Sequence, residues 1–170
     1  MIILMAGLPG TGKSTLAREL AIRTRGCVLS KDDIRAAIFP EQDIEFSTAQ
    51  DDFVMELMLQ SARFLLERNP SRKIFLDGRT FSRHYQIERV LKFASELDQP
   101  WRILECICSE ESAHRRLEDE CDPAHPAKNR SFALYQEVKA RFEPISHAKT
   151  VIDTDQPIAQ NLDEALAELN

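Results

Sequence analysis

The sequence predicts a three-layer α/β fold in which helices cover both faces of a five-stranded, mostly parallel sheet. Short apolar runs alternate along the chain with segments of helical periodicity, which is typical of parallel sheets. The length of 170 residues suits one compact domain with a buried core. No internal repeat, low-complexity tract or linker divides the chain, so we expect a single domain over 1–170.

The predicted strands are apolar runs bounded by turn residues or charges. In chain order they are 2–7 (IILMAG), 27–30 (CVLS), 73–78 (KIFLDG), 102–108 (RILECIC) and 150–153 (TVID). None approaches the length of a membrane span, and no basic leader or cleavage site precedes the first strand. We therefore expect a cytoplasmic protein without a membrane partner.

The first three helices are predicted from 3.6-residue periodicity and capping residues. One covers about 13–24, and a short one covers about 34–39. A long helix begins at Ser47, and Gln50 stands where it would complete a capping box. The apolar face of this helix is expected to include Phe53.

The second half of the chain adds four predicted helices. One ends before Pro100, one begins at the capping residue Ser109, one covers about 131–142, and one begins at Pro157. The segment 121–129 (CDPAHPAKN) breaks the periodicity with two prolines and an aspartate. We expect it to form part of a small helical lid at about 111–131.

The composition argues against two kinds of protein. The net charge of −6 is unusual for a protein that binds extended duplex nucleic acid, because such proteins are usually basic. The cysteines form no C-x-x-C pair and no zinc-like spacing with histidine, so we expect buried or unreactive thiols. They are Cys27, Cys106, Cys108 and Cys121.

The segment GLPGTGKS (7–14) matches the complete pattern G-x-x-x-x-G-K-[ST]. It lies between a predicted buried strand and a helix, where backbone N–H groups and the helix N-terminus can bind phosphates. Lys13 is expected to reach the β- and γ-phosphates of a nucleoside triphosphate, and Ser14 is expected to bind Mg²⁺. The predicted nucleotide-binding residues are Gly7, Leu8, Pro9, Gly10, Thr11, Gly12, Lys13, Ser14 and Thr15.

A second group of polar residues, Asp32, Asp33 and Arg35, follows the second predicted strand. Ligands of parallel α/β sheets bind beyond the carboxyl ends of the strands, which is the edge that also carries the phosphate loop. A carboxylate there can accept the proton of a hydroxyl that attacks the γ-phosphate, and Arg35 can hold the acceptor. An ordinary helix start with an acidic first turn also fits these residues, and both interpretations stay open.

The phosphate loop, the strand after it and the D-D-x-R pattern of 32–35 resemble the polynucleotide 5′-kinase branch of the P-loop kinases. Zeta-toxin-like and chloramphenicol-phosphotransferase-like proteins and other small AAA-type ATP-binding kinases belong to the same group. The resemblance implies a P-loop NTPase fold, with Asp32 as the general base and Arg35 in contact with the acceptor. The motifs specify the superfamily better than they specify the acceptor.

Asp77 ends the third predicted strand, and Arg79 follows it in the segment FLDGRTFSR. Asp77 stands at the position of a Walker-B-like acid, where it is expected to bind Mg²⁺ or to orient the acceptor. Arg79 is expected to contact the acceptor. An Asp-Gly turn followed by solvated arginines is the alternative interpretation.

Members of the resembled group carry lid arginines that close over the transferring phosphate, often with the spacing R-x-x-x-R. By this resemblance, Arg116 and Arg130 are predicted to be catalytic. The sequence departs from the pattern, because Glu120 stands four residues after Arg116. Ordinary charge on a helix surface is the alternative.

These residues predict an ATP- and Mg²⁺-dependent phosphotransferase that moves the γ-phosphate to a hydroxyl. The acceptor is a small molecule or the 5′-hydroxyl end of a nucleic acid. One Trp and two Tyr provide little stacking surface for a long single strand. The alternatives are a nucleotide-binding ATPase module and a zeta-type toxin kinase. A toxin would have an antitoxin partner, which nothing in the sequence indicates.

Overall fold

A computed structural model describes residues 1–119, 127 and 129–169 of the chain. Glu120, Cys121 and most of the predicted lid loop therefore lie outside the described residues. The sheet has the strand order β2-β3-β1-β4-β5, and each neighbouring pair is parallel. The strands are β1 Ile2–Ala6, β2 Cys27–Ser30, β3 Ile74–Asp77, β4 Trp101–Ile107 and β5 Thr150–Asp153. The predicted α/β class is confirmed, and the described sheet is wholly parallel.

Helices connect successive strands and cover both faces of the sheet. The α-helices are α1 Lys13–Thr24, α2 Lys31–Ile38, α3 Thr48–Arg68, α4 His84–Glu96, α5 Glu110–His114, α6 Phe132–Ala140 and α7 Ile158–Ala167. A 3₁₀ turn covers Glu41–Asp43, and a π-helical turn at Arg115–Asp119 continues α5. Short π-helical turns of this kind occur frequently at functional sites.

The core has two halves, one on each face of the sheet. Alternate side chains of a strand point to opposite faces, so Ile2 and Leu4 of β1 pack in the half that contains α3 and α4. Ile3 and Met5 pack in the half that contains α1 and α7. All five residues of β1 are fully buried, and β1 is the middle strand of the sheet. The loop that follows β1 therefore starts at the middle of the edge formed by the carboxyl ends of the strands.

Four serines cap helices through their side-chain oxygens. Ser30, Ser47, Ser109 and Ser131 each accept a hydrogen bond from the backbone N–H three residues later. This confirms the predicted caps at Ser47 and Ser109. The reciprocal half of the predicted capping box is absent, because the Gln50 side chain instead bonds to the backbone of the preceding loop at Asp43 and Glu45.

Two local predictions were wrong. Helix α2 begins at Lys31 and not near residue 34, because Ser30 caps it directly at the end of β2. Asp32 and Asp33 therefore lie inside the first helical turn. Phe53 is 52% exposed, because the row of α3 residues that begins at Val54 faces the sheet and the Phe53 ring packs on Phe39 at the surface.

Within the described ranges, no helix is a candidate for a membrane-spanning segment.

Removing the Ser47 cap should weaken the start of α3. We expect Ser47→Ala to lower the free energy of unfolding by about 1 kcal/mol, because the Gln50 N–H loses its acceptor. Urea denaturation measures the change. Ser61→Ala is the matched control, since Ser61 is exposed in the same helix and its hydroxyl bonds only to the Leu57 carbonyl. Equal stability of the two variants would contradict the capping role.

Candidate active site

The phosphate loop leaves β1 in a conformation that requires glycine. Gly7 has a φ of +130°, and a Cβ at this position would lie 2.2 Å from the Cys106 carbonyl oxygen of β4. Gly12 has a φ of +77° and occupies the N-cap of α1. The first N–H groups of α1 have no intrahelical acceptors and therefore point toward the loop, as a phosphate-binding site requires.

Lys13, the first residue of α1, is only 8% exposed. Its Nζ donates a hydrogen bond to the Leu8 carbonyl oxygen at 2.6 Å. Burial lowers the pKa of Lys13 below its ordinary value, and the carboxylates of Asp77 and Asp32 oppose this shift. The nearby guanidinium of Arg130 lowers the pKa further. Three other predicted site residues, Asp77, Asp32 and Arg130, thus lie within electrostatic range of Lys13.

A cavity of about 500 Å³ joins the phosphate loop to the polar residues after β2 and β3. From the predicted nucleotide site, its walls include Pro9, Gly10, Gly12, Lys13, Ser14 and Thr15. From the predicted catalytic and acceptor residues, they include Asp32, Arg35, Arg79 and Arg130. Gly7, Leu8 and Thr11 instead line a smaller, mainly apolar cavity of about 250 Å³ beside α6.

Arg35 links the candidate base to the neighbouring helix. It is 1% exposed, and its Nη1 donates to Asp32 Oδ1 at 3.0 Å. Its Nη2 donates to Asp51 Oδ1 of α3, which also accepts a hydrogen bond from Lys31 Nζ at 2.8 Å. The Phe46 ring covers the guanidinium at 5.0 Å. Arg35 is therefore held rigidly beside Asp32.

The two adjacent aspartates have different surroundings. Asp32 is partly buried, lines the cavity and pairs with Arg35. Asp33 is exposed, and its backbone N–H donates to the Ser30 cap at 3.2 Å. A helix start thus accounts for Asp33, whereas the contacts of Asp32 lie in the cavity. The interpretation of Asp32 as a base stays a prediction.

Asp77 and Ser14 provide oxygen ligands suited to Mg²⁺. Asp77 is 2% exposed, and its Oδ1 has no hydrogen-bond partner among the described residues. Ser14 lies on the cavity wall next to Lys13. No cluster of three or more His, Cys, Asp or Glu is found in the described part of the chain. The two oxygens fit a Mg²⁺ ion that is held mainly by phosphates and water, which is how proteins usually bind this ion.

Arg79 is anchored on the wall of the cavity by hydrogen bonds. It is 4% exposed, and its Nη2 donates to Asp52 Oδ1 at 2.6 Å and to the Tyr85 hydroxyl at 3.3 Å. The alternative of a solvated arginine is therefore wrong for this residue. Tyr85 lines the same cavity beside it.

The two arginines that the sequence assigns to a lid occupy different places. Arg130 lines the cavity, but Arg116 does not. Arg116 Nη1 donates to the Thr154 hydroxyl at 2.9 Å, and its Nη2 donates to the Thr154 carbonyl oxygen at 2.8 Å. Arg116 Nη2 also lies 3.7 Å from Asp155. These contacts direct the Arg116 side chain to the loop after β5, and its Nη1 also donates to the Gly10 carbonyl oxygen of the phosphate loop at 3.4 Å. The expected role of Arg116 at the transferring phosphate stays a prediction.

Sequence reasoning missed Asp51, Phe46 and Thr154. A signal for Asp51 existed, because Lys31 and Arg35 stand at i and i+4 and therefore share one face of α2. Two cations on one buried face need an acid from another element. No local pattern indicates which acid supplies it.

Replacing Asp51 should destabilise the protein. We expect Asp51→Asn to lower the free energy of unfolding by about 3 kcal/mol, because two buried cations lose a shared carboxylate. Urea denaturation tests this, with Asp163→Asn on the exposed surface of α7 as the control. A loss below about 0.5 kcal/mol, as is usual at the surface, would show that the junction contributes little.

Replacing Lys13 should remove ATP binding and raise the thermal stability of the protein. Lys13→Met is expected to lose ATP binding and to melt at a higher temperature, because a buried charge disappears while Leu8 O keeps its hydrogen bond from Thr11. The pKa of Lys13 in the folded protein lies below its unfolded value of 10.5. The charged Lys13 side chain therefore destabilises the parent protein at neutral pH, and this effect disappears as the pH rises toward 10.5.

Calorimetry measures both effects of this change, with the exposed Lys92→Met as the control. A Lys13→Met variant that binds ATP and melts below the parent protein would refute the expectation.

Known proteins resemble this chain in sequence family and in fold. A family model described as an AAA domain matches residues 2–145. No curated protein gives a match. The APS kinase CysC of Mycobacterium tuberculosis, solved with AMPPNP and APS, is 17% identical with a TM-score of 0.72, and the match covers 99% of this chain and 95% of that one.

Two further solved structures have the same fold. A gluconokinase from Sinorhizobium meliloti 1021 is 17% identical with a TM-score of 0.66, and the match covers 99% of this chain and 90% of that one. Kti12 of Chaetomium thermophilum, solved with ADP-AlF3, is 14% identical with a TM-score of 0.71 over the full length of both chains. Because the family model covers most of its length, including the phosphate loop and four of the five strands, the chain belongs to the AAA domain family.

Proposed function

We propose that this protein is an ATP- and Mg²⁺-dependent kinase that transfers the γ-phosphate to a hydroxyl acceptor. The observation that carries the proposal is a single cavity whose walls include both the phosphate loop and the Asp32 carboxylate. A nucleotide-binding module needs only the first of these features. A phosphotransferase needs both, because the attacking hydroxyl must meet the γ-phosphate and a proton acceptor in one place.

The nucleotide half of the proposed reaction belongs to the phosphate loop. Backbone N–H groups at the start of α1 bind the phosphates, and the Lys13 ammonium neutralises charge that develops on them. Ser14 and Asp77 would hold Mg²⁺, which when bound supplies positive charge to the phosphate oxygens. The buried position of Lys13 strengthens its interaction with phosphate, because little water screens the charge.

The acceptor half of the proposed reaction belongs to Asp32. The acceptor oxygen forms a bond to the γ-phosphorus while the bond to the leaving ADP oxygen breaks, and Asp32 takes the hydroxyl proton. Arg35 holds this carboxylate in position through its hydrogen bond of 3.0 Å. Arg35 itself is 1% exposed, so it acts on the acceptor mainly by positioning Asp32.

The two lid arginines receive different roles. Arg130 lies on the cavity wall, which supports a role for it on the transferring phosphate. Arg116 bridges the lid to the loop after β5 and to Gly10 of the phosphate loop. We assign Arg116 to positioning the lid. Closure over the cavity would exclude water and limit hydrolysis of ATP.

The acceptor is a small molecule or a nucleic-acid 5′-hydroxyl end. Two of the structural relatives are a gluconokinase and an APS kinase, which supports a small molecule. The D-D-x-R pattern of 32–35 supports a nucleic-acid end. All these steps fit one domain over 1–170.

The test follows label from γ-labelled ATP into two pools, one of 5′-hydroxyl oligonucleotides and one of sugars, nucleosides and other hydroxyl compounds. We expect Asp32→Asn to lower kcat/KM for transfer by at least about 100-fold, the usual minimum for a lost general base, while ATP affinity changes little. Asp33→Asn is a closely matched control, because Asp33 is the adjacent, exposed aspartate.

Two outcomes would contradict the proposal. If Asp32→Asn transferred label as fast as the parent, Asp32 would not be the base. If label appeared only in free phosphate with both pools, the protein would be an ATPase module.

A further inference from the structure

The cavity is cationic although the protein is acidic. Eight lysines and arginines line it among the described residues, against the two carboxylates of Asp32 and Asp51. The whole chain carries a net charge of −6. A concentration of one sign of charge in a cleft raises the local concentration of ligands of the opposite sign. The cavity is therefore suited to anions.

Most of the cavity cations already have carboxylates near them. Three of the cavity arginines pair with carboxylates outside the lining, namely Asp52, Glu137 and Glu143. Counting these with the two lining carboxylates and with Asp77 near Lys13 leaves an excess of two positive charges. MgATP would balance them, because Mg²⁺ cancels half of the charge of ATP and leaves about −2. A second anion therefore needs a donor that no carboxylate occupies, or an arginine whose ion pair is easily exchanged.

Arg79 is the best placed cation for that anion. It is 4% exposed and fixed at its Nη2 end by Asp52 and Tyr85, so its guanidinium loses little freedom when it binds a ligand. Its Nε has no hydrogen-bond partner among the described residues. A buried donor without an acceptor is rare and requires an explanation such as a missing ligand.

Arg83 and Arg141 extend this positive region to the open side of the cavity. Their side chains are 39% and 49% exposed, and they pair with the exposed acids Glu143 and Glu137. Exposed ion pairs contribute little to stability, so either arginine can exchange its partner for a ligand at small cost.

We propose that the acceptor is a small hydroxyl compound that carries a carboxylate or phosphate group, and that Arg79 binds this anion with help from Arg83 and Arg141. The inference rests on the proposed kinase function. The anion holds one end of the acceptor at the β3–α4 side of the cavity, and the hydroxyl at the other end lies toward Asp32. A fixed anion converts an encounter into a defined geometry for transfer.

The distribution of charge favours a small anion over a polymer. Eight of the 22 lysines and arginines and two of the 28 acids line the cavity, which leaves 14 bases and 26 acids elsewhere in the chain. A nucleic-acid strand that continued beyond the cavity would meet this acidic excess.

Binding is measured first, with inorganic phosphate as the probe. Phosphate is titrated calorimetrically into protein saturated with AMPPNP and Mg²⁺, so that the phosphate loop is already filled. Arg79→Gln should weaken the affinity for phosphate at least about tenfold, as expected for a lost charged hydrogen bond. Arg63→Gln should leave it unchanged, since Arg63 is an exposed arginine of α3 outside the cavity.

The exposed double variant Arg83→Gln/Arg141→Gln keeps the test decisive if Arg79→Gln does not fold. It should also weaken phosphate binding. Absence of phosphate binding by the parent protein, or parental affinity in both Arg79→Gln and the double variant, would overturn the proposal.

Transfer from γ-labelled ATP then identifies the anion. Matched acceptors are gluconate with sorbitol, glycerate with glycerol, and thymidine 3′-phosphate with thymidine. We expect label to enter an anionic member at least about ten times faster than its neutral partner. The pair that responds distinguishes carboxylate from phosphate.

The two proposals fail in different ways. Label that enters neutral members equally well, or long oligonucleotides in preference to thymidine 3′-phosphate, would overturn the small anionic acceptor and leave the kinase function intact. Phosphate binding that depends on Arg79, with no label transferred to any acceptor, would support the anion site and refute the kinase function.

Discussion

The close approach of Gly7 to the Cys106 carbonyl oxygen is the constraint on which the site depends. The chain must leave the central strand β1 and pass the end of β4, and a side chain there would lie 2.2 Å from that oxygen. With this contact in place, the loop turns back so that α1 begins directly behind it. A displaced loop would move both the phosphate-binding amides and the packing of α1 on the sheet.

The side of the cavity formed by α2 is held in place mainly by ion pairs. The two buried residues of α2 are Lys31 and Arg35, and β2 is an edge strand of partly buried residues. The position of Asp32 therefore depends on charges shared with Asp51 of α3 more than on apolar packing. Such contacts are directional, so they fix the carboxylate in a way that apolar contacts would not.

The limits of sequence reasoning follow from the range of the interactions. The strands and the phosphate loop were predictable, because apolar alternation and the GLPGTGKS pattern act within a few residues. The start of α2 was missed because its cap, Ser30, is also the last residue of β2. The contacts of Arg35 with Asp51 and of Arg116 with Thr154 were not predictable, since each partner lies at least 16 residues away in the chain. The spacing of charged residues along the chain does not show which distant residues they will contact.

The bridge between Arg116 and Thr154 has a thermodynamic consequence for the proposed lid. Arg116 lies in the π-helical turn that continues α5, and Thr154 lies within 3.1 Å of the Thr11 carbonyl oxygen in the phosphate loop. The Thr154 side chain thus connects the π-helical turn, the loop after β5 and the phosphate loop, which are distant in sequence. Coupling between two equilibria is reciprocal. If a ligand increases the equilibrium constant for forming this bridge by some factor, the formed bridge increases the affinity for that ligand by the same factor. If the proposed nucleotide strengthens the bridge, the position of the proposed lid and the affinity for that nucleotide are therefore linked.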